Sequence, residues 1–124
     1  MNVDINVLVV DDFEFARRIV KNVLKEIGVT NITEAASATA GLNELKKTTF
    51  NLIITDYNMP GMNGIMFVRK VREDDATKDI PVIMVTSDGN KGVLLEATEA
   101  GVNGFLNKPF TKEELVEKIE RLID

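Results

Sequence analysis

Five short apolar runs alternate with five amphipathic patterns along this sequence, and few folds accommodate such an alternation. The apolar runs cover residues 7–10, 32–35, 52–55, 82–85 and 104–106. The first, third and fourth runs are continuous and rich in Val and Ile, which is typical of strands that are covered on both faces. The sequence therefore predicts five strands, most of them buried on both sides.

The segments between and after these runs have the period of amphipathic helices. Their apolar stripes consist of Ala16, Ile19, Val20, Val23, Leu24 and Ile27; Ala38, Leu42 and Leu45; Ile65, Phe67, Val68 and Val71; Val93, Leu94, Ala97 and Ala100; and Leu115, Ile119, Leu122 and Ile123. Gly28 and Gly101 follow the first and fourth patterns, as helix-ending residues do. Ser37 is placed to cap the second helix, and the capping box Thr111-x-x-Glu114 opens the fifth.

Strands that alternate with helices predict an α/β fold, a doubly wound parallel sheet with helices on both faces. No linker, low-complexity run or internal repeat divides the chain, so we expect a single domain over residues 1–124. Because crossovers between parallel strands are right-handed, the strand ends that lead into helices share one edge of the sheet. Ligands bind at that carboxyl edge in folds of this kind.

Composition excludes several classes of site. The chain has no Cys and no His, so disulfides, thiolate metal sites and imidazole ligands are impossible, and any metal must be held by oxygen. The net charge of −5 argues against nucleic acid as a partner. The N-terminus resembles neither a signal peptide nor a membrane helix, so we expect a soluble cytoplasmic protein without a membrane partner.

The polar face of the first predicted helix is basic. It carries Arg17, Arg18, Lys21 and Lys25. We expect this face to be solvated, with a role in an interaction as the less favoured alternative.

Polar residues that could bind a ligand or take part in a reaction follow the predicted strands directly. In chain order they are Asp11 and Asp12, Asp56, Thr86 and Ser87, and Lys108 followed by Pro109. Taken singly, each has a commoner role: an Asp there often caps a helix, a Thr often ends a strand, and a Lys is usually solvated. Their conjunction at adjoining strand ends is the specific signal, because the fold brings these ends together.

Three carboxylates in one small pocket require a cation. At about 5 Å and an effective dielectric of ~20, each pair repels by roughly 3 kcal/mol. Mg²⁺ is the expected ion, with Mn²⁺ as an alternative, because it prefers oxygen ligands and commonly joins one or two carboxylates to phosphate oxygens. Together with Lys108 such an ion would neutralise charge on a transferring phosphoryl group, and Thr86 could donate a hydrogen bond to it.

Four segments of the chain resemble the signature segments of response-regulator receiver domains. They are VLVVDD, IITDYNMPGMNG, VIMVTS and GFLNKPF, and they occur in the family's order and spacing. The resemblance covers essentially the whole chain, and within the family it is strongest to the CheY-like single-domain chemotaxis regulators, through VVDDF-x-x-x-RRIVKN, D-x-NMP and KPFT. It implies a flavodoxin-like (βα)5 fold with strand order 2-1-3-4-5.

The resemblance also assigns roles at the acidic site. Asp56 matches the phospho-accepting aspartate. Asp12 and Asp56 match the direct carboxylate ligands of Mg²⁺, and Asp11 matches the acid that holds the ion through water. Asn58 matches the residue whose backbone carbonyl is a further ligand.

A second set of matches concerns switching and lifetime. Thr86 and Lys108 match the switch hydroxyl and the cationic partner of the phosphoryl group, and the Lys108–Pro109 bond matches one that is usually cis. Phe105 stands where the family often has a Tyr that changes position, with core packing as the alternative. Asn58 and Asp88 match positions that tune the lifetime of the phosphoryl group. Glu14, Tyr57 and Ser87 also depart from common family residues.

The function implied is that of a receiver which takes a phosphoryl group from a sensor histidine kinase. It would signal by protein contact, with a flagellar motor switch protein as output partner and a phosphatase as a further partner, and act as a monomer. It would catalyse only its own phosphorylation and dephosphorylation. The alternatives are a phosphate sink or relay, and a receiver excised from a longer regulator. An aspartyl-nucleophile phosphatase is disfavoured because Asn58 stands where such enzymes have a second acid, and no nucleotide-binding G-x-x-x-x-G-K-[ST] motif occurs.

Overall fold

The computed structural model describes residues 1–123 and contains five strands and five helices in alternation. The strands are β1 (Asn6–Val10), β2 (Asn31–Ala35), β3 (Leu52–Asp56), β4 (Val82–Thr86) and β5 (Gly104–Asn107). The helices are α1 (Glu14–Glu26), α2 (Ala38–Lys47), α3 (Gly64–Glu73), α4 (Lys91–Ala100) and α5 (Lys112–Leu122). Every predicted strand is present and is one residue longer than its apolar run. Asp56 and Thr86 are therefore the last residues of β3 and β4, because each still pairs with the neighbouring strand.

All strand pairs are parallel, and the order across the sheet is β2-β1-β3-β4-β5. This confirms the flavodoxin-like fold that the sequence resemblance implies. The register places Asp56 opposite Val85 and Thr86 opposite Asn107, so the carboxyl ends of the central strands are level. Side chains at these ends consequently project into the same space.

Alternation along each strand divides the core into two layers. Odd residues of β1, such as Val7 and Val9, pack with Leu24 of α1 and with Leu115 and Ile119 of α5. Even residues of β1 face the other layer, which is formed by α2, α3 and α4. We call these the α1/α5 face and the α2–α4 face. Among the described residues, no helix is long and apolar enough to cross a membrane.

The predicted helix ends and stripes agree with the structure, with two exceptions. Ser37 accepts a hydrogen bond from the Ala40 N–H, and the capping box at the start of α5 is complete. Ile19 and Leu94, however, remain 42% and 37% exposed although their spacing puts them on apolar stripes. Ile19 lies at the margin of its stripe, where α1 borders an open groove and no other element covers it.

The basic face of α1 is not simply solvated, which corrects the expectation from sequence. The Arg17 guanidinium donates to the carbonyl of Asp11 at 2.7 Å and to the Glu34 carboxylate at 3.1 Å, and Lys21 also reaches Glu34. Partial burial alone would raise the pKa of Glu34, but the hydrogen bonds from Arg17 and Lys21 hold that pKa below its ordinary value. Arg18 does remain exposed. Arg17 therefore ties α1 to the loop that carries Asp11.

Near the amino ends of β4 and β5, Arg72 joins three segments of the chain. Its guanidinium donates to the carbonyls of Lys78 and Ile80 at 2.8 and 2.7 Å, and to the carbonyl of Gly101 at 2.8 Å. It also donates to the Asn103 side chain at 3.0 Å. The end of α3, the approach to β4 and the turn before β5 are thus held by one side chain.

We expect Arg72→Met to destabilise the fold by about 2–4 kcal/mol, because several half-buried carbonyls lose a charged donor at once. Urea unfolding followed by circular dichroism measures this change. Arg69→Met is the matched control, since Arg69 lies on the same helix with an exposed side chain. Equal stability of the two variants would show that the Arg72 hydrogen bonds contribute nothing.

Candidate functional site

The three predicted carboxylates meet at the carboxyl edge of the sheet. Asp11 follows β1 directly and Asp56 ends β3, so adjacent parallel strands carry them to the same place. One carboxylate oxygen from each of Asp11, Asp12 and Asp56 lies within 4.8 Å of the others. Asp11 and Asp56 are 6% and 9% exposed, whereas Asp12 is open to solvent.

Lys108 extends from the end of β5 into this acidic cluster. Its Nζ lies 3.1 Å from Oδ2 of Asp11 and 3.5 Å from Oδ1 of Asp56. Its backbone is held at the end of β5, because the Lys108 N–H donates to the Thr86 carbonyl at 2.9 Å. The bond between Lys108 and Pro109 is cis. Lys108 is therefore a bridging cation between two buried acids, not a solvated surface charge.

Backbone N–H groups orient the two buried carboxylates. The Phe13 N–H donates to Oδ1 of Asp11 at 3.0 Å, and the Tyr57 N–H donates to Oδ1 of Asp56 at 2.9 Å. Lys108 also approaches Oδ1 of Asp56. Of the four oxygens of these two buried carboxylates, only Oδ2 of Asp56 receives no hydrogen bond from the described residues 1–123, so its lone pairs are available.

Burial raises the pKa of Asp56, and the nearby Asp11 carboxylate raises it further. Lys108 and the Tyr57 N–H act in the opposite direction but do not cancel these effects. The charged form of Asp56 is thus less stable here than in water. A cation placed among the carboxylates would restore the charged form.

The donor set fits a hard divalent cation such as Mg²⁺. All the candidate ligand atoms are oxygens, two of the carboxylates are fixed by hydrogen bonds, and the third faces solvent, where an ion can keep several waters. Asn58 lies two residues after Asp56, in the loop that follows β3, and its side chain is exposed.

Thr86 and Phe105 lie on one side of this centre. Thr86 is fully buried, and its Oγ1 accepts a hydrogen bond from the Asp88 N–H at 3.0 Å. Phe105 is half-buried against the α2–α4 face. Gly89 lies over the ring, and a Cβ added there would come within 3.1 Å of it. Asp88 itself is exposed, on the loop that follows β4.

Sequence reasoning missed Gly64, which sets the position of the Asp56 backbone. Its N–H donates to the Tyr57 carbonyl at 2.8 Å, and a Cβ at this position would collide with the carbonyl oxygen of Asp56. Helix α3 can therefore begin directly against the end of β3 only with glycine there. The available signal was a glycine at a helix start, directly after the Asn63 cap.

Comparison with known proteins agrees with this architecture. The model of the response regulator receiver domain family matches residues 7–120. The chemotaxis protein CheY of Pseudomonas aeruginosa is 47% identical over 118 residues, which cover 95% of each chain. The structure of CheY4 from Vibrio cholerae superposes with a TM-score of 0.91 at 33% identity, covering 97% of this chain and 99% of that one.

A more distant structure shares the fold. It is the receiver domain of the sensor histidine kinase PA1611 from Pseudomonas aeruginosa, described with a magnesium ion coordinated in its active-site cleft. It superposes with a TM-score of 0.87 at 23% identity, over 96% of this chain and 97% of that one. The family match and the full-length relatives settle the classification: this chain belongs to the response regulator receiver domain family.

Proposed function

We propose that Asp56 accepts a phosphoryl group from a phosphohistidine of a sensor histidine kinase, and that the phosphorylated chain signals by protein contact. The observation that carries this proposal is the cluster itself: Asp56 is buried, lies beside two further acids and contacts a lysine. The similarity to CheY proteins supports chemotaxis as the pathway. It also supports a flagellar motor switch protein as the output partner.

Asp11, Asp12 and Asp56, with the backbone carbonyl of Asn58, would hold Mg²⁺. When bound, this ion supplies positive charge that stabilises the phosphoryl oxygens during transfer. The family's association with this site and the all-oxygen donor set support Mg²⁺, and Mn²⁺ offers the same ligand preferences.

Asp56, Lys108 and Thr86 each have a separate role in the transfer. Oδ2 of Asp56 attacks the phosphorus, because Oδ1 is occupied by the Tyr57 N–H and Lys108. Lys108, already between Asp11 and Asp56, exchanges part of this contact for a phosphoryl oxygen. The Thr86 hydroxyl donates a hydrogen bond to another phosphoryl oxygen while Oγ1 still accepts one from the Asp88 N–H.

The response runs through Thr86 and Phe105. As Thr86 moves toward the phosphoryl group, the half-buried ring of Phe105 gains room to move inward on the α2–α4 face. A phosphatase would then end the signal together with spontaneous hydrolysis, and the exposed residues Asn58 and Asp88, on the loops after β3 and β4, would tune the rate of that hydrolysis. Receivers are signalling domains, and this one modifies only itself.

The other candidate functions have less support. A phosphatase with an aspartyl nucleophile needs a second acid that protonates the leaving group, and Asn58 is neutral. A phosphate sink or relay would use the same Asp56 chemistry without a motor partner. If the chain were a receiver domain of a longer regulator, the residues of this site and their chemistry would be the same.

Phosphorylation should occur at Asp56 alone. Incubation with Mg²⁺ and acetyl phosphate should add one phosphoryl mass to the wild type and none to Asp56→Asn, because the amide is not a nucleophile. Intact-protein mass spectrometry measures both. Asp75→Asn is the matched control, since Asp75 is fully exposed and far along the chain, and it should label normally. Labelling that persists in Asp56→Asn would move the acceptor to another residue.

Millimolar Mg²⁺ should raise the melting temperature, because the ion binds the folded cluster and relieves the repulsion there. At ten times the dissociation constant the gain is about 1.4 kcal/mol. For a chain of this size that corresponds to roughly 3–6 °C. Differential scanning calorimetry measures the shift, and Asp12→Ala should abolish most of it. An equal shift in wild type and variant would place the ion elsewhere.

Phe105→Tyr should shift the unphosphorylated chain toward the outward ring position. The phenylalanine ring gains up to ~1.5–3 kcal/mol on full burial without giving up a hydrogen bond to water. A tyrosine would have to desolvate its hydroxyl. Amide NMR shifts of the Mg²⁺-bound form, scaled against the beryllofluoride-bound form, report the active fraction. An unchanged fraction with lower stability would make Phe105 a core residue.

A further inference from the structure

An open groove of about 400 Å³ is lined by Asp56, by residues of α1 and by the loop after β5. Its floor includes Ile54 and Val85, core residues that are at most 2% exposed. Its walls include Phe15 and Ile19 of α1 and Phe110 of the loop after β5. We call this the α1 groove, and its volume lies within the roughly 300–1,000 Å³ typical of small-molecule sites.

The walls of the α1 groove leave large apolar side chains uncovered. Phe15 is 54% exposed and Ile19 is 42% exposed, and they lie one turn apart on α1. Uncovered apolar surface beside a polar centre is the usual composition of a ligand site. Asp11, Asp56 and Lys108 line the same cavity as these apolar side chains.

The charge of the acidic cluster determines which ligand the groove can accept. With a divalent cation bound, the three carboxylates and Lys108 are formally balanced, so the centre no longer repels an anion. A phosphoryl group fits there, and the rest of the groove favours an apolar group. One small molecule can meet both conditions, because the acceptor carboxylate and the apolar walls belong to one continuous cavity.

We propose that the α1 groove seats the acyl group of an acyl phosphate with a ring-sized apolar acyl group, which phosphorylates Asp56 directly. This inference rests on the proposed function of Asp56. It predicts that the groove discriminates among small phosphodonors by their acyl group. The reaction that supplies such a donor is the activation of an apolar carboxylic acid to its mixed anhydride with phosphate.

The transfer balances without any further reactant. Oδ2 of Asp56 forms a bond to phosphorus, and the bond between phosphorus and the acyl oxygen breaks. The acyl group leaves as a carboxylate with the bonding electron pair, and no proton is moved. Since the aspartyl phosphate that forms is itself an acyl phosphate, the bond made is of the same type as the bond broken.

The test compares benzoyl phosphate with acetyl phosphate in the presence of Mg²⁺, with the second-order rate constant for each measured by intact-protein mass spectrometry. The quantity of interest is the ratio of the two constants, benzoyl over acetyl. Phe15→Ala should lower this ratio about fivefold, the range expected for loss of an aromatic contact. Ala16→Leu should lower it as well, because Ala16 lines the groove and a larger side chain would fill it.

Met66→Ala is the matched control. Met66 is an equally exposed apolar side chain at 47%, but it lies on α3 and does not line the groove, so the ratio should not change. Binding without reaction gives a second readout. Phenylphosphonate should inhibit labelling by acetyl phosphate more strongly than methylphosphonate, and it should shift the NMR signals of the Phe15 and Ile19 amides.

Each failure has a distinct meaning. If acetyl phosphate does not label Asp56, the proposed function fails. If acetyl phosphate labels Asp56 but the ratio is the same in wild type, Phe15→Ala and Ala16→Leu, only the groove proposal is overturned. If in addition Phe15→Ala slows phosphotransfer from a phosphorylated histidine kinase, the groove receives a protein segment instead of a small molecule.

Discussion

Repulsion among three carboxylates is the interaction on which the rest of this structure depends. At a separation near 5 Å and an effective dielectric of ~20, two carboxylates such as the buried Asp11 and Asp56 repel by roughly 3 kcal/mol, whereas water screens the repulsion from the exposed Asp12. Lys108 offsets part of this by contacting Asp11 and Asp56 together, yet the pKa of Asp56 remains raised. One ammonium against three acids leaves a site that is poised for more positive charge.

The backbone of the fold holds this arrangement in place. The acids extend from adjacent parallel strands whose register is set by buried Val, Ile and Leu residues. Main-chain N–H groups hold one oxygen of Asp11 and one of Asp56, and Gly64 allows α3 to press against the end of β3. Arg17 ties α1 to the Asp11 carbonyl. A centre held in this way can gain an ion or a phosphoryl group without first being reorganised, which is how preorganised electrostatic sites act.

The strands and the meeting of the acids could be predicted because they follow from local patterns and from the geometry of parallel sheets, whereas the sheet order was implied only by the resemblance to receiver domains. An apolar run fixes a strand, and the residue after it must lie at the carboxyl edge. Arg17 and Arg72 could not be identified in this way, since both donate to backbone carbonyl oxygens, which every residue carries. Their side-chain partners, Glu34 and Asn103, have no spacing in the sequence that would single them out. The α1 groove could not be predicted either, because Ile19 has the spacing of a buried residue. Only the packing of the neighbouring elements shows that its side chain is left uncovered.

The two faces of the sheet give the centre two separate sides. Alternation directs Ile54 and Val85 to the α1/α5 face, where the groove lies, whereas Met84 and Phe105 belong to the α2–α4 face. Thr86 follows Met84 by two residues, so it shares the side of Phe105. A donor that approached along the groove, as proposed, would therefore leave Thr86 and Phe105 free to move. The alternation of a β-strand would thus place the proposed donor side and the proposed response side on opposite faces of the sheet, with Asp56 between them.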